Sequence, residues 1–217
     1  MTVEGPESKP TRAYQSVRRA QGAAATREAI LAAAMRLFLE HGYGKVTVND
    51  IAHAAKIAVP TVYASTGGKS AILGALIEEA MRDPIVSETL AAVDKASRPR
   101  EVMRVTAKGV RADSQRYHEM IRVMEAAARL DESAAQILAR SDDGYRKALA
   151  HAVHRLAGMG ALRPGLGPEQ ATDILWFYFG RESWRILVAD RRWTWDLAEQ
   201  WLGEQAAIAI LKPDVLG

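Results

Sequence analysis

The chain has 217 residues, of which 48% are hydrophobic, a formal net charge of +3, and no cysteine. This composition provides for a buried core and excludes both a disulfide framework and a thiolate metal centre. No apolar run is long enough to span a bilayer, and the amino terminus lacks the apolar segment of a secretion signal, so we expect a cytoplasmic protein without membrane contact.

Residues 1–22 are polar and contain Arg12, Arg18 and Arg19. They predict a flexible basic arm that touches DNA phosphates, although a solvated tail explains the composition equally well. A helix is predicted next, over 23–41, because apolar residues recur at helical spacing up to His41. Gly42 is expected to end it, since glycine tolerates the left-handed conformation that often follows a helix.

The stretch 47–69 predicts two short helices around a tight turn. Thr47 and Asp50 form a capping pattern at the start of the first helix, and Pro60 suits the first turn of the second. Together with the helix over 23–41 they predict a helix-turn-helix domain over 23–69, whose last helix would enter a DNA major groove. An ordinary helical hairpin is the alternative. The charge favours DNA, because residues 1–69 carry nine Lys or Arg and five acids, whereas 70–217 carry 20 and 21.

A resemblance to a known family rests on these same segments. Residues 26–43, 47–52 and 61–63, together with Lys69, resemble the DNA-binding region of the TetR family of transcriptional regulators. The resemblance implies an all-helical, dimeric, one-component regulator whose C-terminal domain binds a small molecule and releases DNA. It places Thr47 and Lys69 at backbone phosphates and Thr61 and Tyr63 in the recognition helix. The predicted DNA-contacting set is Thr47, Lys56, Val59, Pro60, Thr61, Tyr63 and Lys69.

The chain departs from the family pattern at three places. Lys56 stands where the turn usually has glycine, which predicts a positive φ at a cost of roughly 1–2 kcal/mol. Ala58 replaces the serine that usually caps the recognition helix, a loss of about 1 kcal/mol. After Tyr63, the segment 64–66 lacks the usual bulky pattern that ends in Phe, so we expect looser packing of the recognition helix.

Residues 70–217 predict a helical domain that binds the effector and forms the dimer. A helix over Ser70–Met81 leads out of the DNA-binding head and is broken at Asp83-Pro84. No alternating strand pattern follows, so the predicted fold class is all-α. Further helices are predicted near 84–96, 99–113, 114–129, 131–159, 168–189 and 194–211.

Two sets of residues carry the predictions for this domain. Methionine and aromatic side chains suit an adaptable ligand pocket, although each of them is more often plain core. The run 174–179 is apolar on every face of a helix, which favours burial against a second copy, with a monomer as the alternative. The predicted pocket residues are Met103, Tyr117, Met120, Met124, Tyr145 and Trp176, and the predicted dimer residues are Phe179, Trp201 and Ile208.

The leading hypothesis is a homodimeric transcriptional repressor that a small, partly apolar effector releases from double-stranded operator DNA. A DNA-binding protein without an effector is the alternative. No motif in the sequence supports an enzyme. Gly68-Lys69-Ser70 resembles the end of a phosphate-binding loop, but that loop needs a glycine at position 63, which is Tyr, and no strand precedes it. His151 and His154 are too isolated to predict a zinc site, so no metal or cofactor is expected.

Overall fold

The computed structural model describes residues 12–215, and the described chain is built from helices, with one isolated antiparallel bridge between Leu162 and Leu211. The predicted all-α fold is confirmed. No helix in 12–215 combines the length and the apolar character needed to cross a membrane. The helices are α1 (Arg12–His41), α2 (Val48–Ala55), α3 (Val59–Thr66), α4 (Lys69–Met81), α5 (Ile85–Lys95), α6 (Pro99–Arg116), α7 (His118–Ala128), α8 (Glu132–Gly158), α9 (Pro168–Phe179), α10 (Arg181–Trp184) and α11 (Trp195–Ile210).

Helix α1 begins earlier than the sequence predicts. It is continuous from Arg12 to His41, so the prediction of a flexible arm is wrong from residue 12 onwards, and residues 1–11 lie outside the described part of the chain. The side chains of 20–25 are exposed on every side of the helix. Local propensity explains the extension over 12–22, because seven of these eleven residues are Ala, Arg or Gln, which favour helix.

The buried side chains form two clusters. The first joins α1–α3 to α4, α7 and the start of α8, with Ile51, Leu73 and Val123 among its members. The second is formed by α5, α6, α8, α9, α10 and α11 around Leu156, Leu175 and other fully buried residues. Packing is therefore continuous across residue 69, where the sequence predicts the domain boundary, because one apolar face of α4 belongs to the core of the DNA-binding head.

Two breaks shape the C-terminal domain. Helix α4 ends before Pro84, and the Asp83 carboxylate accepts the backbone N–H of Ile85 at 3.0 Å, which satisfies a free donor at the start of α5. The single helix predicted over 168–189 is wrong. It is divided at Gly180, whose extended backbone lies so close to the Trp176 carbonyl that an added Cβ would stand 2.5 Å from that oxygen. The chain then continues as α10 and a π-helical turn, Arg185–Asp190.

Candidate nucleic-acid interface and internal cavity

Helices α2 and α3 form the predicted helix-turn-helix, and its first cap has the predicted chemistry. The Thr47 hydroxyl accepts the N–H of Asp50 at 3.2 Å, and the Asp50 carboxylate accepts the N–H of Thr47 at 2.9 Å. The Thr47 hydroxyl also donates to the Asp50 carboxylate at 2.7 Å, and this bond, followed by the one from the Thr47 N–H, holds the pKa of Asp50 below its ordinary value. A reciprocal cap of this kind holds the start of α2 rigidly and leaves its positive dipole end at the surface, where a phosphate can approach.

The turn between the two helices also matches its predictions. Lys56 has φ 57 and ψ 41, a left-handed conformation that only glycine adopts without strain. The Lys56 N–H still donates to the His53 carbonyl at 3.1 Å, and Ile57 donates to Ala52 at 2.9 Å, so the C-terminus of α2 is closed. Ala58 caps α3 without a side-chain hydrogen bond. The turn therefore has two destabilising features, the left-handed backbone of Lys56 and the missing side-chain cap at Ala58.

Helix α3 has several side chains exposed to solvent. Pro60, Thr61 and Tyr63 are exposed, Tyr63 by 55%, and Thr61 and Tyr63 lie on either side of Val62, which is fully buried. Val59 is half-buried against the core of the head, so it lies outside this exposed face and is a poor candidate for a DNA contact. The remaining hydroxyl groups and ring are of the type that contact base edges and phosphates.

Lys69 is held in place at the start of α4. Its ammonium donates to the Tyr43 carbonyl at 2.9 Å and lies 4.3 Å from the centre of the Tyr43 ring. The Tyr43 hydroxyl donates to Asp131 at 2.7 Å, and Asp131 caps α8 by accepting the N–H of Ala134. The Tyr43 bond is the largest of the effects that lower the pKa of Asp131. The sequence did not identify this network, which connects the predicted phosphate contact to the start of α8.

The segment 64–66, which lacks the Phe that usually ends the family pattern, borders an open cleft. Thr66 donates to the Val62 carbonyl at 3.0 Å and lines a cleft of 450 Å³ between α4 and α8. Arg27 of α1 reaches the Ser65 carbonyl at 3.4 Å, so a cation lies at the negative dipole end of α3. Arg27 was missed in the sequence, because its contact joins residues 38 positions apart.

A half-open cavity of 190 Å³ lies between α4, α6, α7 and α8, and Val86 of α5 and Arg181 of α10 also line it. Four of the six predicted pocket residues line it: Tyr117, Met120, Met124 and Tyr145. Burial raises the pKa of Tyr145, whose hydroxyl donates to the Phe179 carbonyl at 2.7 Å. The walls are otherwise mainly aliphatic, and such a cavity suits a small, mostly apolar molecule.

The other two predicted pocket residues are elsewhere. Met103 is buried in the second cluster and lines an open groove of 910 Å³ between α6 and α11. Trp176 packs edge-on against Tyr145, with ring centres 5.6 Å apart, behind the cavity wall. Neither residue lines the 190 Å³ cavity, because residue type alone does not say which face of a helix meets it, and their assignment to an effector site stays a prediction.

Two charged cavity residues, Asp113 of α6 and Arg181 of α10, were not predicted. Burial raises the pKa of Asp113, and the charge of Arg181 only partly offsets this effect. The Arg181 guanidinium lies 2.8 Å from Asp142 and donates to the Ser141 hydroxyl at 2.8 Å. The cavity therefore contains an unpaired carboxyl group and a guanidinium that already has partners.

The predicted dimer residues divide into two groups. Trp201 and Ile208 are 40% and 48% exposed, and they share one face of α11 with the exposed Leu197, since 197, 201 and 208 fall within one helical stripe. Phe179 is fully buried within its own chain, so its assignment to the dimer surface is wrong. Phe177, two residues earlier on the same helix α9, is 72% exposed.

Comparison with known proteins identifies the head. The family model of bacterial regulatory proteins of the tetR family matches residues 30–76, which include α2, α3 and most of α4. The chain carries the DNA-binding domain of the TetR family. No curated protein sequence matches this chain.

Solved TetR-type structures share the fold over most of the length. SmeT, the repressor of the Stenotrophomonas maltophilia multidrug efflux pump SmeDEF, in complex with triclosan, is 22% identical over 88% of this chain and 94% of its own, with a TM-score of 0.71. NalD, the secondary repressor of the Pseudomonas aeruginosa pump MexAB-OprM, is 19% identical over 89% and 99%, with a TM-score of 0.70. A protein from Saccharomonospora viridis in complex with choline is 16% identical over 86% and 97%, with a TM-score of 0.66.

The strained turn of this TetR-type head gives a testable expectation. Lys56→Gly should raise the free energy of unfolding by roughly 1 kcal/mol, because glycine adopts φ 57 without a Cβ clash. Lys108→Gly, an exposed lysine within α6, should instead lower it by about 1 kcal/mol through loss of helix propensity. Urea denaturation of both variants measures the two signs, and a destabilised Lys56→Gly protein would contradict the strain assigned to the turn.

Proposed function

We propose that this protein is a homodimeric transcriptional repressor that leaves its operator when a small, partly apolar effector enters the cavity between α4, α6, α7 and α8. One observation carries the proposal: helix α4 takes part in both sites. Its first half packs against α1–α3 through buried residues such as Leu73, and Ile77 and Met81 near its end line the cavity. A molecule in the cavity therefore touches the helix that supports the DNA-binding head.

The cavity also contacts the break between α4 and α5. Tyr117 lines the cavity and donates its hydroxyl to Asp83 at 2.8 Å, and Arg116 lies 2.6 Å from the same carboxylate. Asp83 in turn holds the start of α5. Displacement of the Tyr117 ring by an effector would disturb the residue that sets the angle between the two helices.

The leverage of such a movement follows from helix geometry. Helix α4 has 13 residues and is about 20 Å long, so a small tilt at Met81 moves Lys69 by ångströms. In a dimer, the two recognition helices must lie about 34–36 Å apart to enter successive major grooves. An effector that binds more tightly when the recognition helices are at a different separation lowers operator affinity. The decrease is limited by the ratio of the effector's affinities for the two arrangements.

The relatives support both parts of the proposal. SmeT and NalD are repressors of multidrug efflux pumps, and the structures with triclosan and choline contain small molecules. The cavity and its mainly apolar walls favour an effector-responsive regulator over a DNA-binding protein without an effector, because an architectural protein does not need a ligand-binding cavity.

Selection of genomic DNA fragments by the purified protein tests the DNA-binding part. We expect enrichment of a fragment with two-fold symmetric half-sites, and release of that fragment by compounds that bind the protein. Recovery of fragments without a common sequence would contradict sequence-specific repression. Binding that no cavity ligand alters would leave the alternative, a constitutive DNA-binding protein.

The Asp83–Tyr117 contact predicts a pH-dependent effect on stability. The pKa of Asp83 is lowered first by the Ile85 N–H and then by the Tyr117 hydroxyl. A lowered carboxyl pKa contributes stability above the unfolded value, about 3.9, and loses it as the pH falls through the folded value. Tyr117→Phe should therefore lower the free energy of unfolding at pH 7, and the difference from wild type should shrink as the pH falls below about 4.

Urea denaturation at a series of pH values measures this prediction. Tyr178→Phe is the matched control, because the Tyr178 hydroxyl makes no hydrogen bond with the described residues. A deficit of Tyr117→Phe that is the same at every pH would show that the hydroxyl acts through packing rather than through the Asp83 carboxylate.

A further inference from the structure

Asp113 is an unpartnered carboxyl group within the cavity. It lies on α6, and its side chain makes no hydrogen bond or ion pair with any residue in the described range 12–215. It lines both the 190 Å³ cavity and a smaller adjoining space of 40 Å³. The residue is half-buried, and partial loss of solvation raises the cost of its charge, so a cationic group of a ligand in the cavity would supply the partner that the protein does not.

Arg181 lines the same cavity but does not neutralise the charge of Asp113. Arg181 and Asp113 are the charged residues among those that line the space. The Arg181 guanidinium is bound by Asp142 and the Ser141 hydroxyl on α8, both at 2.8 Å. Burial acts on Asp113 more strongly than the charge of Arg181 does. Counting Asp113, Asp142 and Arg181 together, the site has one uncompensated negative charge when both carboxyl groups are ionised.

The remaining walls suit an apolar body that carries a positive group. Ile77, Met120 and Met124 provide aliphatic surface. The hydroxyl groups of Tyr117 and Tyr145 are bound to Asp83 and to the Phe179 carbonyl, so they offer a ligand chiefly their rings. Aromatic faces attract cations, with the greatest effect where water is excluded.

We propose that the effector cavity takes a small amphiphilic cation, an alkyl or aryl amine whose ammonium group pairs with Asp113 while its apolar part packs on Met120 and Met124. This inference rests on the proposed function for the identity of the cavity as the effector site. A neutral ligand would leave the Asp113 charge without a partner. An anionic ligand would add a like charge beside Asp113.

Three probes of equal chain length test the charge preference: octylammonium, 1-octanol and octanoate. Isothermal titration at pH 7.5 with the full-length protein should show octylammonium binding roughly 10- to 100-fold tighter than 1-octanol, as expected for a hydrogen bond to a charged group, and octanoate binding weakest. Asp113→Asn keeps the shape and removes the charge, so it should bring octylammonium to within about threefold of 1-octanol.

Asp143→Asn is the matched control. Asp143 lies on the exposed side of α8, where it pairs with Lys147 at 2.7 Å, so this variant should keep the wild-type ranking of the three probes. Thermal unfolding of both variants checks that they fold. The order of the three probe affinities for the wild-type protein does not depend on the variants. It therefore tests the charge preference even if Asp113→Asn does not fold.

Several outcomes would overturn the inference. These are equal affinity for octylammonium and 1-octanol, a preference for octanoate, no binding of any probe, or an unchanged ranking in a folded Asp113→Asn protein. Operator binding without any probe is measured separately. A protein that binds its operator but not octylammonium refutes the cation site alone, whereas one that binds octylammonium but no specific DNA refutes the proposed repressor.

Discussion

Thr61→Ala and Tyr63→Ala are each expected to weaken operator binding by roughly 10- to 100-fold, the equivalent of the 1–3 kcal/mol that a good base contact contributes. Both side chains are exposed on α3, on either side of the buried Val62. Their removal should therefore leave the fold and the assembly intact. Gel-shift titration against the selected operator, with circular dichroism as the check on folding, measures the effect. Wild-type affinity in both variants would refute the assignment of α3 as the recognition helix.

Lys69→Ala should behave differently from these two variants. A phosphate contact carries no sequence information, so binding should weaken on all DNA sequences, and the dependence of log affinity on log salt should become shallower by about one unit. Lys147→Ala, which removes one positive charge from the exposed side of α8, is the control and should leave the salt dependence unchanged. Equal effects of both lysine variants would indicate a general charge effect rather than a contact at α4.

The features that the sequence predicted best are local. The Thr47 cap and the left-handed Lys56 each depend on backbone atoms within about four residues, so their physical causes are all present in a short window of sequence. The break at Pro84 is equally local. The start of α1 was missed because the polar composition of 12–22 was given more weight than the helix propensity of its Ala, Arg and Gln residues.

The cavity could be predicted only in part, because its walls come from separate helices. Met103 and Met124 look equivalent in a sequence, yet one is buried beside α11 and the other beside α4. Asp113 and Arg181 meet only after α6 and α10 have packed. No periodicity in either segment indicates which of its charged residues turns inward.

The predicted dimer surface shows the same limit of sequence-based prediction at the level of single residues. A run of six large apolar residues predicts that every face of α9 needs burial, but it does not say which face meets the partner. Residues 177 and 179 are about 200° apart around a helix, so they point in nearly opposite directions. The structure assigns Phe179 to the core of its own chain and leaves Phe177 exposed.

This pair of phenylalanines provides the sharpest test of assembly. We expect the native protein to sediment as a dimer at micromolar concentration, with Phe177, Trp201 and Ile208 at the interface, because an exposed apolar patch of this kind marks an association surface. Phe177→Glu should yield a folded monomer with native circular dichroism and greatly weakened operator binding. Phe179→Glu should fail to fold, since a buried unpaired carboxylate costs several kcal/mol.

Leu39→Glu is the control, because Leu39 is exposed by 42% on α1 of the head, away from α9 and α11. It should leave both the dimer and the fold unchanged. A dimer that survives Phe177→Glu would place the interface elsewhere on the chain. A native protein that sediments as a monomer would remove the assembly altogether, and with it the reason for two recognition helices to match half-sites one helical turn apart.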